Sequence, residues 1–399
     1  MLKKLETCLQ EKLIRWFVLL GPLGSLITPS ALPKSFRFYY FLLPLFPLFF
    51  LTTKRFTWQI CSIFSPFFLY CFFSVLFVGA LGMAREEDQW LRFCLLCSHF
   101  FFVVGAAYTN NLDIESLIVL YVRSFFVILL IGYIFFIGYY SGYVSLEFID
   151  RFSILTQFGY GLLRFSPGSY PNEFGVVSSF VLSISLLMSS AADSPLYFSK
   201  RPKLLWLIIA LTFGALILAT TRAAYLSFAM SILYLYFSSF KKAVSVFLLF
   251  ALSCFAMLQA IGFSVFSIVF GGFIQKIDEG SLGDRYFAWI DAWNVFREHC
   301  VWGVGFGAFP QLHNVYLSFL FELGAIGTFL LLATLGVWKC IGSSGIRHPS
   351  SCFVSKVKTL GLIHVFWFAA SNHNLHHHLT WFVLFLYFFA CDRKCIEKA

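Results

Sequence analysis

Residues 283–327, GDRYFAWIDAWNVFREHCVWGVGFGAFPQLHNVYLSFLFELGAIG, gather polar side chains in a chain that is otherwise rich in Phe and Leu. The first half of this stretch predicts an amphipathic helix on a membrane surface, since basic and aromatic residues recur on one side at helical spacing. The residues on that side are Arg285, Trp289, Trp293 and Phe296. Glycines then interrupt the pattern, and His313–Asn314 stand where the next apolar run begins. A polar loop that ends at the start of a membrane helix is where we expect chemistry.

The composition predicts an all-α, polytopic membrane protein. Of the 399 residues, 59% are hydrophobic and 12% are charged, and 54 are Phe. A soluble protein of this length cannot bury that much apolar surface. The net charge of +10 does not indicate nucleic acid, because Lys and Arg stand in short clusters between apolar runs, as the positive-inside rule predicts. The first apolar run lacks a small-residue cleavage site and predicts a retained helix.

Hydropathy predicts about twelve transmembrane segments in one membrane domain, residues 1–399, each near the roughly 20 residues that span hydrocarbon. They are 13–32, 36–53, 60–83, 91–109, 115–139, 173–192, 204–221, 223–240, 243–262, 313–337, 358–373 and 377–391. Basic clusters fall in alternate connections, so both termini are expected in the cytoplasm. Two long loops, 140–172 and 263–312, are then periplasmic, and the larger loop contains the catalytic region.

Three arginines are expected on the outer side, against the general bias of basic residues: Arg164, Arg222 and Arg285. A guanidinium presents forked donors that match phosphate oxygens, so the three can converge on a diphosphate. The alternative is that each reaches lipid headgroups or pairs with a nearby carboxylate. Arg222 interrupts an almost unbroken apolar stretch, which favours function there.

His313 begins the apolar run at 313–337, where an imidazole that titrates near neutral pH can take a proton from a sugar hydroxyl. The alternative is a histidine that only hydrogen-bonds its loop. Asn314, Ser318 and Glu322 recur every four residues and share one stripe of the predicted helix. A buried carboxylate at Glu322 is expected to find an Arg or hydroxyl partner inside the bundle.

Three other motifs favour structural interpretations. Gly303-x-Gly305-x-Gly307 lacks the strand and helix of a phosphate loop, so we interpret it as a flexible link. The run 371–378, SNHNLHHH, has metal-ligand residue types but no neighbouring carboxylate or Cys, and a polar turn between helices explains it, with metal binding left open. Cys94 and Cys97 lie within a predicted apolar helix, where Cys is commonly a packing residue.

Together these motifs resemble the signature of the bacterial O-antigen ligase/polymerase superfamily over about residues 160–335. The motifs are Arg285, Trp289, Gly303-x-Gly305, His313-Asn314-x-Tyr316-Leu317, Glu322-x-Gly324 and Gly327, with Thr221-Arg222, Arg164 and Pro171-Asn172 upstream. The resemblance implies a GT-C-like glycosyltransferase of the bacterial inner membrane, working on the periplasmic side. Its donor is a glycan on undecaprenyl diphosphate, and its acceptor is lipid A–core or a growing glycan. No metal, nucleotide or other cofactor is implied.

The same resemblance implies roles for individual residues. Arg164, Arg222 and Arg285 would bind the carrier diphosphate, and His313 would be the base or would orient the acceptor. Arg285 would also act in catalysis, and Trp289, Asn314 and Glu322 would support the site. The motifs do not separate a ligase from a polymerase. A non-enzymatic transporter of lipid-linked glycans is the alternative of another class; a scaffold protein gives no reason for Arg222 and Glu322 in apolar stretches.

Overall fold

The computed structural model describes most of the chain: residues 2–23, 37–50, 55–80, 89–107, 112–151, 158–159, 162–189, 196–237, 281–308, 312–343, 352–372 and 376–389, with isolated residues between 244 and 256. These residues are predominantly helical, as predicted. Where extended pairing occurs in them, it is a short antiparallel ladder in which Phe158–Gly159 pairs with Leu162–Leu163.

The α helices are numbered here in chain order. They are α1 (Leu2–Leu23), α2 (Pro47–Phe50), α3 (Arg55–Ala80), α4 (Gln89–Ala107), α5 (Ile114–Tyr140), α6 (Leu146–Arg151), α7 (Pro171–Ser189), α8 (Leu196–Ser199), α9 (Pro202–Ala219), α10 (Arg222–Leu235), α11 (Ser281–Glu298), α12 (Val315–Ser343), α13 (Cys352–Ser371) and α14 (His378–Phe389). A 3₁₀ helix at Phe38–Leu45 precedes α2.

Among the described residues, seven helices are long and apolar enough to cross a membrane. They correspond to seven of the twelve predicted segments and lie at Gln59–Phe77, Gln89–Ala107, Ile114–Tyr140, Pro171–Ser189, Pro202–Ala219, Val315–Trp338 and Cys352–Ser371. The chain is therefore a multi-pass helical membrane protein.

The other five predicted segments are not confirmed as spans. At 1.5 Å per residue, the described helices α10 and α14 extend only about 21 Å and 18 Å, less than the roughly 30 Å of hydrocarbon. Residues 38–50 form the 3₁₀ helix and α2 in place of one continuous span, and Pro44 interrupts the α-helical hydrogen bonds there. The first helix begins at Leu2, earlier than predicted, and is described as far as Leu23. Most of 243–262 lies outside the described residues.

Helix α7 is the centre of the bundle, packed against α9, α10 and α13 and buried over 83% of its span. Serine side chains allow this close packing because they are small and satisfy their hydroxyls on neighbouring groups. Ser179 Oγ lies 2.8 Å from His364 Nε2 on α13 and 3.1 Å from Ser227 Oγ on α10. Ser179 therefore contacts both α10 and α13.

The turn between α9 and α10 brings three helix ends together. It contains only two residues, Thr220 and Thr221, and Thr220 closes it in the left-handed conformation with φ +48°. Thr221 Oγ1 donates to the carbonyl of Pro171, the first residue of α7, at 2.9 Å. A Cβ atom at Gly175 would lie 2.9 Å from Thr221 Cβ, so α7 needs a glycine to admit this turn. The start of α7, the end of α9 and the start of α10 thus share one end of the bundle.

Candidate functional site

The Arg164 guanidinium hydrogen-bonds to the α9–α10 turn. Its Nε and Nη2 donate to the carbonyl of Ala219 at 3.0 and 2.8 Å, and Nη2 also donates to the Thr220 carbonyl at 3.2 Å. The same nitrogen lies 3.0 Å from Thr221 Oγ1. A cation at the C-terminal end of a helix is favourable, because the last carbonyls of α9 carry partial negative charge. The forked guanidinium therefore fixes the shape of this turn.

Arg222 is the residue that follows this turn and opens α10. It is exposed, whereas Thr221 before it is buried. The structure therefore places two of the three predicted arginines at the same turn, Arg164 holding it and Arg222 projecting from its end. Sequence positions 58 residues apart meet here because Phe165 also donates its backbone N–H to the Leu218 carbonyl at 3.2 Å.

His313 lies in the connection before α12, half-buried, with a left-handed backbone (φ +50°) that is uncommon for a residue with a Cβ. Asn314 caps α12: its Oδ1 accepts the backbone N–H of Leu317 at 3.0 Å. Ser318 Oγ donates to the Asn314 carbonyl at 3.0 Å. Asn314 thus has a structural role at the helix start, and the cap fixes the point from which His313 extends.

Trp289 links α11 by a hydrogen bond to the segment that contains His313. Its Nε1–H donates to the carbonyl of Leu312 at 2.8 Å. Arg285 lies one helical turn before Trp289 on α11, so the backbone brings its position toward the same loop. The Arg285 side chain is outside the described residues, as is that of Asp284.

The predicted amphipathic helix exists as α11, but its apolar side contacts protein. Ala292 and Phe296 are buried, and Phe296 stacks against Phe321 of α12 at 5.1 Å between ring centroids. Trp293 lies 6.0 Å from the same ring and remains half exposed. Part of the face that predicted a membrane surface is therefore an interface with α12. A position at the membrane surface stays a prediction for the rest of α11.

The glycine-rich segment is a fixed, buried loop, so the interpretation as a flexible link was wrong. Gly305 donates its N–H to the Glu322 carbonyl at 2.8 Å, and Gly307 donates to the Glu322 carboxylate Oε2 at 2.9 Å. Tyr70 on α3 donates its hydroxyl to the carbonyls of Trp302 and Leu323 at 2.7 and 3.0 Å. Glu322 accepts a backbone amide of this loop, and the Arg or hydroxyl partner expected for it stays a prediction.

Helix α12 breaks where the glycine loop docks. Gly324 has φ +64° and ψ −168°, a backbone conformation that is essentially restricted to glycine. The backbone N–H groups of Ala325 and Ile326 pair with the carbonyls of Cys300 and Val301. A Cβ atom at Gly303 would lie 2.2 Å from the Glu322 carbonyl oxygen. The glycines are needed because two backbone segments approach each other closely here, not because the loop moves.

His313 lies at the same end of the bundle as the α9–α10 turn. Tyr316, one turn into α12, donates its hydroxyl to the Phe366 carbonyl near the C-terminal end of α13, at 3.2 Å. That end of α13 lies near the start of α7, since His377, in the connection after α13, places its Nε2 3.8 Å from Glu173 Oε2 in the first turn of α7. The starts of α7, α10 and α12 are therefore on a common side.

The structure also brings two histidines of the run 371–378 together with two residues that the sequence analysis missed, Arg37 and Glu173. Arg37 Nη2 pairs with Glu173 Oε2 at 3.0 Å, and both side chains are almost completely buried. His377 Nε2 lies 3.8 Å from the same oxygen, and His378 stacks on His377 at 4.2 Å between ring centroids. Glu173 follows Pro171-Asn172 directly, so a carboxylate in the first turn of an apolar helix was the available signal.

His377 is neutral in this environment. Burial and the nearby Arg37 guanidinium lower its pKa well below the ordinary value, so the short distance to Glu173 is not an ion pair at neutral pH. Within the described residues, no group of three His, Cys, Asp or Glu is placed to hold a metal ion. His373, in the same histidine run, lies outside those residues.

A comparison with protein families gives one match: residues 207–332 match the family model described as O-antigen ligase. No curated protein matches the chain. The matched region contains the α9–α10 turn, α11, the glycine loop and the first part of α12, so Arg222, Arg285, His313 and Glu322 all fall within it. Over residues 207–332, this chain is therefore similar to the O-antigen ligase family.

Proposed function

We propose that the protein is an O-antigen ligase: a membrane glycosyltransferase that moves a glycan from undecaprenyl diphosphate to a hydroxyl of lipid A–core. The family match carries this proposal, because it covers the helices that bear Arg222, Arg285 and His313. A polymerase that extends a glycan on the same carrier is the second candidate, since the family includes both reactions.

The arrangement at one end of the bundle supports a division of roles. Arg222 is exposed at the helix start next to the turn that Arg164 holds, so Arg222 would bind the diphosphate and Arg164 would position it. The N-terminal end of α10 adds favourable partial charge for an anion. Arg285 would reach the same diphosphate from α11.

His313 would then act on the acceptor. In the proposed step, its imidazole removes the proton from the acceptor hydroxyl while that oxygen attacks the anomeric carbon of the donor glycan. A new glycosidic bond forms, the bond from the anomeric carbon to the diphosphate breaks, and undecaprenyl diphosphate leaves with the electron pair. Arginine side chains favour this step because they stabilise the negative charge that develops on the leaving diphosphate. His313 lies two residues before the first residue of α12, with a left-handed backbone conformation.

The proposed reaction takes place on the periplasmic side of the bacterial inner membrane. Both termini would be cytoplasmic, and the region 263–312 would form the large periplasmic loop. The common end of α7, α10 and α12 would face the periplasm, consistent with the clusters of basic residues in the opposite connections.

Transfer by the purified protein tests the proposal. The reaction contains lipid-linked glycan and lipid A–core, with no nucleotide or added metal. A ligase yields glycan on lipid A–core, whereas a polymerase yields longer chains on the carrier. In cells, loss of a ligase removes surface O-chain, and loss of a polymerase leaves a single repeat. A transporter gives neither product, and then substitution of His313 leaves movement of lipid-linked glycan in vesicles unchanged.

A further inference from the structure

A small polar cavity lies beside the proposed diphosphate site, inside the bundle. It holds about 10 Å³, space for one water-sized group. Its polar lining consists of Arg37, Ser169, His377 and His378, and its apolar wall comes from Pro22, Phe125, Ile128, Pro167, Phe174 and Val177. A few convergent polar groups against an apolar wall are typical of a ligand site.

The two histidines offer hydrogen-bonding groups that the described residues do not satisfy. His377 Nδ1 accepts the backbone N–H of Leu379 at 3.3 Å, so the proton of this neutral imidazole is on Nε2. The Nε2 atoms of both His377 and His378 are buried without a hydrogen-bond partner among the described residues. His377 is 1% exposed and His378 is 8% exposed. The acceptor nearest to His377 Nε2 among the described residues, Glu173 Oε2, is 3.8 Å away. A buried donor without a closer acceptor is costly, so this atom is available to an oxygen of a group bound in the cavity.

The charge of the cavity selects among possible ligands. Glu173 pairs with the single guanidinium of the lining, and burial keeps His377 neutral. A phosphate would need an excess of positive charge and more space than this cavity provides. A hydroxyl group fits, because it is uncharged, is about the size of a water molecule, and both donates and accepts.

The cavity is lined in part by the chain segment that lies next to the proposed diphosphate site. Pro167 and Ser169 line it, and they belong to the short segment that runs from Arg164 to the start of α7. Arg164 at the beginning of that segment holds the α9–α10 turn, and Pro171 at its end accepts from Thr221. A group in the cavity is therefore separated from the Arg222 turn by one segment of chain.

We propose that this cavity binds a sugar hydroxyl of a glycan substrate, with His377 Nε2–H as donor and His378 as the second polar partner. The proposal rests on the proposed function, because a glycan is the substrate that brings such hydroxyls to this end of the bundle. The donor glycan and the sugars of lipid A–core are the two sources of the same chemistry.

Equilibrium binding to the purified protein tests the site without requiring turnover. The three probes are the lipid-linked glycan, undecaprenyl diphosphate without sugar, and lipid A–core. His377→Phe keeps an aromatic ring and removes both nitrogens, and His377→Gln keeps an amide donor near the position of Nε2. We expect His377→Phe to weaken binding of one sugar-bearing probe about tenfold, the equivalent of one hydrogen bond, and His377→Gln to restore most of it. Undecaprenyl diphosphate should bind unchanged.

The affected probe identifies the source of the hydroxyl. Wild-type affinity of His377→Phe for all three probes would overturn the proposal, since the cavity would then hold only water. An equal loss for all three, including the carrier without sugar, would also overturn it, because the histidine would then act through the fold. His364→Gln is the matched control: this buried imidazole contacts Ser179 and does not line the cavity.

A second variant covers the case in which His377→Phe does not fold. Val177→Ile adds one methylene to the apolar wall, leaves every polar group in place and reduces the space for the ligand. It should weaken the same sugar-bearing probe and leave undecaprenyl diphosphate unaffected. If the wild-type protein binds the glycan through this cavity but forms no product, the site stands and the proposed reaction fails.

Discussion

Arg164 and Arg222 lie at the same turn, but their side chains have different environments. Arg164 donates to carbonyls and a hydroxyl of the turn, and Arg222 is the exposed residue that follows it. A diphosphate needs an accessible cation, so Arg222 suits direct binding and Arg164 suits positioning. The sequence predicted the same role for both, because residue type alone does not show how exposed each guanidinium is in the fold.

Substitution of Arg222 should therefore lower the rate of glycan transfer and leave the thermal stability of the protein unchanged. We expect Arg222→Ala to lower the transfer rate about 100-fold, and Arg222→Lys to lower it less, because lysine keeps the charge and loses the forked geometry. Thermal unfolding of both variants should resemble that of the wild type. Arg201→Ala is the control, since Arg201 is an exposed arginine at the opposite end of α9. Wild-type transfer by Arg222→Ala would remove this arginine from the site.

Substitution of Arg164, in contrast, should lower the thermal stability as well as the transfer rate. Arg164→Lys loses the bonds that need a fork and should reduce both the thermal stability and the transfer rate, since the Thr220–Thr221 turn loses its clamp. The measurement is the melting temperature together with the KM for the lipid-linked donor. A variant with normal stability and a raised KM would instead indicate that Arg164 contacts the diphosphate itself.

Glu322 holds the glycine loop through the Gly307 amide. Glu322→Ala should destabilise the protein by about 2 kcal/mol, a typical value for a lost hydrogen bond to a charged group. Glu322→Gln should lose less, because the amide oxygen still accepts from Gly307. Unfolding of the purified variants measures the difference, and equal stability of Glu322→Ala and wild type would contradict the assigned role.

At the scale of elements, the break in α12 shows what the sequence predicted and what it did not. Hydropathy located a helix at 313–337, and the structure confirms one from Val315. Pattern analysis did not predict the break at Gly324, because a glycine in an apolar helix has no periodic signal. Nor did it predict that Gly303 and Gly324 face each other, since that depends on a contact between segments about 20 residues apart.

The break gives a sharp test with a control in the same helix. A Cβ atom at Gly324 would lie 2.4 Å from the backbone nitrogen of Gly303, whereas a Cβ at Gly336 would meet no atom within 4 Å. Gly324→Ala should destabilise the protein by more than about 2 kcal/mol, because it combines this clash with a disfavoured φ. Gly336→Ala should be neutral or slightly stabilising. Similar melting temperatures for the two variants would contradict the described geometry.

At the scale of the whole molecule, the sequence predicted the class of fold and the shared side of its site residues from composition and helix count. It missed the buried Arg37–Glu173 pair because the two residues are 136 positions apart and neither stands in a recognisable motif. A buried ion pair contributes little net stability. The residue types alone do not show that these two side chains are paired. The two residues meet in the fold because Arg37, at the N-cap of the 3₁₀ helix, lies beside the first turn of α7.

The proposed topology predicts the accessibility of native cysteines. Among the described cysteines, Cys8, Cys94, Cys300 and Cys352 are exposed free thiols. Cys94 lies within the apolar helix α4, and only Cys300 is expected in a periplasmic loop. A membrane-impermeant thiol reagent added to spheroplasts should label Cys300, and Cys300→Ser should abolish that labelling. Labelling of Cys8 or Cys352 from outside, while Cys300 stays protected, would show the opposite orientation.

The measurement that tests the central claim most directly is glycan transfer by the purified His313→Ala protein. The account predicts that this variant still binds lipid-linked glycan with wild-type affinity, because Arg222 and Arg285 remain, and forms no detectable glycosylated lipid A–core or extended carrier-linked chain. Product formation by His313→Ala at the wild-type rate would contradict the account.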